Sequence, residues 1–234
     1  MARAANALAA RVGGNPDDIL AFVHQDARLD FDAASVLPRY FAALPDAGVL
    51  GFCGTARQEP GKRWHECVPR YGALLQGADP VTELRFDTCE AGEPGLRYAE
   101  VETLDGYALF IQRRTFDAIG GFDEGYDGWH GYDLDLCTRA LAAGRRNYVI
   151  DQPSRHFSWG TAGPPLDRAL ARHASLWSDF FAKRRAAEPP PKRLRIHVYT
   201  IAKNEEKFAA RFAASCADAD GVHVLDTGSD DATV

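Results

Sequence analysis

Residues 120–144 constrain this chain more than any other stretch. Gly120-Gly121-Phe122-Asp123-Glu124 leads into a glycine- and aromatic-rich run, Gly125-Tyr126-Asp127-Gly128-Trp129-His130-Gly131-Tyr132, and then into Asp133-Leu134-Asp135-Leu136-Cys137-Thr138-Arg139. Leu136, Cys137, Ala140 and Leu141 recur at helical spacing and Gly144 supplies a stop, so the spacing predicts a helix that opens near Asp133. Two carboxylates, Asp133 and Asp135, then stand where unsatisfied backbone N–H groups favour negative charge. Such a carboxylate either caps the helix or faces a cleft as a general base. Asp133 and Asp135 are expected to diverge by roughly 200° around the helix axis, so both cannot serve one cleft.

A second constraint comes earlier. Ile19-Leu20-Ala21-Phe22-Val23 is a continuous apolar run, which predicts a parallel strand buried on both faces in the middle of an α/β sheet. It ends in His24-Gln25-Asp26. Ligands of such sheets bind beyond the carboxyl ends of strands, which places Asp26 at a ligand site.

Together these stretches resemble family 2 glycosyltransferases of the GT-A fold. The run Leu104-Asp105-Gly106-Tyr107-Ala108-Leu109-Phe110, a short helix over Arg114–Ile119, Gly-Gly-Phe-Asp-Glu, and then Asp133, Asp135, Leu136 and Arg139 match the acceptor-side half of that family. Tyr132 stands where the family has Glu. The Gly-Trp-His-Gly-Tyr-Asp loop resembles, more loosely, an acceptor loop of galactosyltransferases. The resemblance implies a mostly parallel GT-A sheet, Asp133 as catalytic base, and acceptor contacts from Asp105, Trp129 and Tyr132. His24-Gln25-Asp26 replaces the family's Asp-x-Asp, a form shared with a prokaryotic subfamily, so the resemblance assigns metal and donor diphosphate to Asp26. Asp151–Gly160 resembles the segment that supplies a late histidine ligand, which points to His156. The implied cofactor is a divalent cation, Mg2+ or Mn2+, and the implied partners are a nucleotide-sugar donor and a glycan or other hydroxyl acceptor.

That chemistry has stated requirements. A departing nucleoside diphosphate leaves negative charge that a hard cation neutralises. A hydroxyl nucleophile must pass its proton to a positioned base. One carboxylate serving each side suits a single in-line displacement with inversion. The alternative is a non-catalytic carbohydrate- or nucleotide-binding module. A nucleotidyltransferase would call for a glycine-rich phosphate loop, which Ala202-Lys203-Asn204-Glu205-Glu206 is not.

A net charge of -6 gives no electrostatic reason to expect nucleic acid. Five cysteines without a Cys-x-x-Cys pair argue against a zinc site or disulfide framework and for a reducing, cytoplasmic setting. The amino terminus lacks a signal peptide's apolar core, and no run approaches the ~18 apolar residues of a membrane span.

Helices are expected over residues 1–12, 33–44 (with Pro38 in the first turn) and 165–183, and a strand over 48–54. Residues 55–95, rich in glycine, proline and charge, predict a loop or hairpin excursion in which Trp64 packs on the domain or stacks on a sugar. Lys183-Arg184-Arg185 reads as a solvated helix end. Residues 188–193 form a proline-rich linker. Beyond it, strand–helix–strand patterning ends in Asp226-Thr227-Gly228-Ser229-Asp230-Asp231-Ala232-Thr233. This resembles the opening of a second GT-A domain over 194–234, and it implies nucleoside contacts from Thr200 and Asp226. Residues 1–187 resemble the later part of such a domain. The order implies a fragment of a tandem protein, or else a circular permutation with the tail docked on the first part.

Overall fold

The computed structural model describes residues 1–77, 81–85, 90–91, 95–126, 128–160, 162–188 and 195–233. The chain divides into two compact units, Met1–Ala186 and Ala187–Val234.

In the first unit the strands are β1 (Ile19–Val23), β2 (Ala27–Leu29), β3 (Ala47–Gly51), β4 (Cys53–Thr55), β5 (Arg70–Gln76), β6 (Thr82–Arg85), β7 (Glu90–Ala91), β8 (Arg97–Val101), β9 (Thr103–Leu104), β10 (Ala108–Gln112), β11 (Arg146–Ile150) and β12 (Ser154–His156). The helices are α1 (Ala2–Val12), α2 (Ala33–Ala43), α3 (Arg113–Ala118), α4 (Tyr132–Ala142) and α5 (Pro164–Ala186). The main sheet runs β1-β10-β3-β11-β8-β7; a second runs β2-β12-β5-β4-β9, with β6 on β5.

Side-chain alternation builds the layers. Ala108 and Phe110 of β10 and Leu50 of β3 join Leu37, Tyr40 and Phe41 of α2 in one apolar cluster. Leu109, Ile111 and Val49 belong to another, with Ala2 and Ala9 of α1 and Leu136, Cys137 and Ala140 of α4. A strand covered on both faces must be apolar at every position, which is why Ala108–Ile111 shows no alternation. Emptying such a site, as in Phe110→Ala, costs about 3–5 kcal/mol.

The α/β class stands, with corrections inside it. β1 lies at the edge of the main sheet among the described residues and runs antiparallel to β10 over its whole length. In that sheet β11–β3 alone is parallel, so the pairing is mixed rather than mostly parallel. The apolar run of β1 reports cover on two faces: Leu20 and Phe22 pack on the α1 and α4 cluster, Ile19 on the α2 cluster. Strand direction is set by connectivity, which such a run does not encode. The strand expected over 48–54 breaks at Phe52, and its two parts, β3 and β4, enter different sheets. Pro38 sits inside α2 rather than in its first turn. The face it interrupts is exposed at Ala34, Ser35, Pro38 and Arg39, so water can reach the unpaired carbonyl. The hairpin expected within 55–95 is β5–β6, while residues 78–80, 86–89 and 92–94 lie outside the described residues. The solvated end expected of α5 is instead an anchor. Arg184 Nε lies 2.8 Å from a Glu102 carboxylate oxygen, Arg185 also binds that carboxylate, and Glu102 is buried.

The second unit contains β13 (His197–Ala202), α6 (Glu206–Ser215) and β14 (Gly221–Asp226), with the two strands parallel. The loops beyond the strands lock together: the Asn204 N–H donates to Ser229 Oγ (2.8 Å), Asp230 N–H to Asn204 Oδ1 (2.8 Å) and Glu205 N–H to Thr233 Oγ1 (2.7 Å). The linker expected over 188–193 falls outside the described residues except for Glu188. Among the described residues no helix is long and apolar enough to cross a membrane.

Candidate functional site

A cleft of about 840 Å³ opens where the end of β1, the β9–β10 turn, the start of α4 and the end of β12 converge. The end of β1 turns back at once, with Ala27 N–H donating to His24 O, and β2 then pairs antiparallel with β12. That pairing sets His156 opposite Ala27 and brings its ring to Asp26. His156 Nε2 is 3.6 Å from Asp26 Oδ1, and His24 Nδ1 is 3.9 Å from the same oxygen. One ligand atom from each of His24, Asp26 and His156 falls within 4.8 Å of the others. Two imidazoles and a carboxylate at that spacing fit one divalent cation.

The cluster is held from behind. His156 is buried and stacks on Tyr107, rings 5.0 Å apart, while the Tyr107 hydroxyl bonds Ser154 Oγ at 2.7 Å. Burial acts to raise the Asp26 pKa, but the Ser158 hydroxyl and the His156 and His24 rings prevail and hold it below the ordinary value. Burial and the nearby His156 lower the pKa of His24, against Asp105 and Asp26. Both effects favour the forms that ligate metal, an ionised carboxylate and a neutral imidazole.

Asp133 lines the same cleft from the first turn of α4. Its pKa is pushed up to about 7, first by burial and then by Asp105, against the N–H groups of Leu134, Asp133 itself and Gly106. The helix is entered through Gly131 at φ 77°, where a Cβ would also lie 2.7 Å from the Tyr126 ring. Asp135 is elsewhere. It is buried, 2.8 Å from Arg139 Nε and accepting from Trp177 Nε1 at 2.9 Å, which ties α4 to α5.

The remaining expected residues divide. Asp105 lines the cleft, accepting from Trp64 Nε1 (2.8 Å) and from the Tyr107 N–H (3.1 Å). Trp64 is buried yet lines the cleft, so packing accounts for its ring. Trp129 is 57% exposed at the rim, its ring 5.8 Å from that of His24. Tyr132, expected with Trp129 to contact the acceptor, is buried, as is Tyr126 of the same loop, and Asp127 lies outside the described residues. The Tyr132 hydroxyl is taken up by Gly106 O (2.9 Å) and His24 Nε2 (2.6 Å), which leaves Trp129 as the exposed ring of the three. Thr200 and Asp226 belong to the second unit, Thr200 half-buried within β13. Asp226 ends β14 and accepts from the Gly228 and Ser229 N–H groups and from the Ser229 hydroxyl, which chiefly holds its pKa low. The sequence reading missed His24 as a member of the cluster. Its one signal was position, two residues before Asp26 at the end of a strand.

Comparison with known proteins places this geometry. A family model described as "Glycosyltransferase like family" matches residues 1–163. Uncharacterized proteins of Mycobacterium bovis (strain ATCC BAA-935 / AF2122/97) and Mycobacterium tuberculosis (strain ATCC 25618 / H37Rv) are 39% identical over 77 residues, 31% of this chain and 29% of each relative. The crystal structure of GalNAc-T7 with UDP, GalNAc and Mn2+ superposes with a TM-score of 0.51 at 10% identity, covering 81% of this chain and 38% of that one. At that identity the likeness is one of GT-A fold. The matches span well under half the length of these proteins.

Proposed function

The chain belongs to this glycosyltransferase-like family, and on that premise we propose that it performs a metal-dependent, inverting transfer of a sugar from a nucleotide-diphosphate donor to an acceptor hydroxyl. The observation that carries the reading is the meeting, in one cleft, of a two-histidine, one-carboxylate cluster and a separate carboxylate whose pKa is pushed up to about 7. GalNAc-T7, described with UDP, GalNAc and Mn2+, supports the donor class and the cation.

A divalent cation bound by His24, Asp26 and His156 would offset the charge that develops on the departing diphosphate. Two imidazole ligands favour Mn2+ over Mg2+. Asp133 takes the acceptor proton as the acceptor oxygen bonds to the anomeric carbon and the bond from that carbon to the diphosphate breaks. A base poised near 7 suits that transfer at neutral pH. Trp129 offers its exposed ring to the acceptor sugar, and Asp105, already holding Trp64, keeps lone pairs for an acceptor hydroxyl. With one base and no second carboxylate assigned as nucleophile, the expected outcome is inversion. Residues 1–187 are read as the later part of one GT-A domain. Residues 194–234 are read as the opening of another, with Thr200 and Asp226 as its nucleoside contacts.

The test incubates the chain with Mn2+, simple glycoside acceptors and a panel of nucleotide-diphosphate sugars, following donor by 31P NMR and product configuration by 1H NMR. Release of nucleoside diphosphate is expected to need Mn2+, to disappear in Asp26→Ala and to accompany an inverted linkage. Release unchanged by EDTA, or a retained linkage, overturns the reading.

A further inference from the structure

We propose that Tyr132 is a positioning residue that fixes the ring tautomer of His24, so that Nδ1 presents its lone pair to a divalent cation beside Asp26. The proposal rests on the metal-dependent reading above for its cation, and on hydrogen-bond geometry for everything else.

A phenol has one proton to give. The Tyr132 oxygen lies 2.9 Å from Gly106 O, a carbonyl that can only accept, so the phenol proton points there. The second contact, 2.6 Å to His24 Nε2, must then be a bond that His24 donates. The reverse assignment would turn two oxygen lone pairs on each other across 2.9 Å in a site where Tyr132 is 3% exposed. With its proton on Nε2, a neutral His24 carries its free lone pair on Nδ1. That nitrogen is the one 3.9 Å from Asp26 Oδ1, on the side of the cation cluster. Metal-bound histidines depend on such a partner behind the ring to set tautomer and direction.

The surroundings admit this arrangement and little else. His24 is also pinned through its backbone, whose N–H donates to Tyr107 O at 2.8 Å. A Cβ on Gly106 would sit 2.6 Å from the Tyr132 oxygen, so a residue without a side chain lets the phenol reach the carbonyl. Tyr132 and His24 stand 108 residues apart in the chain and bond each other directly.

The experiment uses the whole chain, 15N-labelled, with the His24 resonances assigned through His24→Gln. Two-bond 15N–1H correlations read the tautomer without metal, and calorimetric titration with Mn2+ reads affinity. The unaltered protein is expected to show His24 protonated on Nε2. Tyr132→Phe, which keeps the ring and its packing, is expected to lose that preference and to weaken Mn2+ binding by about 10- to 100-fold, with an unchanged circular dichroism spectrum. Trp177→Phe, whose indole bonds Asp135 away from the cleft, is expected to leave both readouts unmoved. A proton on Nδ1 in the unaltered protein, or a Tyr132→Phe variant with unchanged tautomer and Mn2+ affinity, overturns the proposal. Absence of Mn2+ binding by the unaltered protein overturns the cation half and with it the metal-dependent reading, whereas the tautomer result stands or falls by itself.

Discussion

Helix α4 carries two aspartates, two residues apart, into two different environments. Asp133 faces the cleft, where neither an arginine nor a lysine pairs with it among the described contacts and burial beside Asp105 pushes its pKa up to about 7. Asp135, roughly 200° further round the axis, faces α5, where Arg139 and Trp177 occupy its oxygens. Burial still outweighs the arginine and keeps its pKa above the ordinary value. The same side chain thus carries a pKa raised to about 7 on one face and serves as a clamp on the other, by its surroundings alone. Arg139 also donates to Ile119 O and Gly121 O, so the clamp gathers the turn after α3 as well.

The contrast can be broken most forcefully at Asp133. Asp133→Asn is expected to lower turnover by about 10²- to 10⁴-fold while leaving nucleotide affinity near its starting value, as steady-state kinetics and a binding titration would show. The pH dependence follows in sign. Turnover of the unaltered protein should climb as pH rises through about 7, where Asp133 loses its proton. Stability should move the other way. Unfolded, Asp133 titrates near 3.8, so between that pH and 7 the folded state holds the extra proton and loses stability as pH rises. Asp133→Asn should therefore melt higher than the unaltered protein at pH 8, with the gap closing toward pH 4. A variant that melts lower at pH 8 would sink the assignment of that pKa.

Asp135→Ala comes next. Removing one member of a buried pair costs about 3–5 kcal/mol. The low end is expected here, because Arg139 keeps two carbonyl acceptors and is partly exposed. Denaturant unfolding would measure it, and turnover per folded molecule should hardly change. A collapse of turnover at full stability would transfer the base to Asp135. Trp177→Phe is the gentlest probe: it removes the indole bond to Asp135, and bonds to charged groups contribute about 1.5–3 kcal/mol, toward the lower figure for a half-exposed ring.

The sequence exposed local structure better than it exposed pairing. Helix α4 was legible because periodicity and a glycine stop are local properties, while the β10 run and the parallel β13–α6–β14 unit were read with the help of the family resemblance. The edge position of β1 was not, since cover on two faces and strand direction are decided by distant partners. At the site, Asp26, Asp105, Trp129, Asp133 and His156 could be named in advance, and the structure gathers them into one cleft. The union of His24 with Tyr132 spans 108 residues of chain, and no spacing rule links them. The grip of Arg184 and Arg185 on Glu102 escaped for the same reason, since a basic run at a helix end reads as solvated until its buried acid is located.

Gly106 carries a consequence for engineering. Its carbonyl receives the phenol that backs His24, and its N–H favours the ionised form of Asp133. The phenol that backs the His24–Asp26–His156 cluster and the carboxylate of Asp133 therefore both bond the backbone of one residue. On the proposed function, redesigning the opening of α4 for a different acceptor is expected to shift cation affinity as well. Selection for one trait in a variant library should drag the other along.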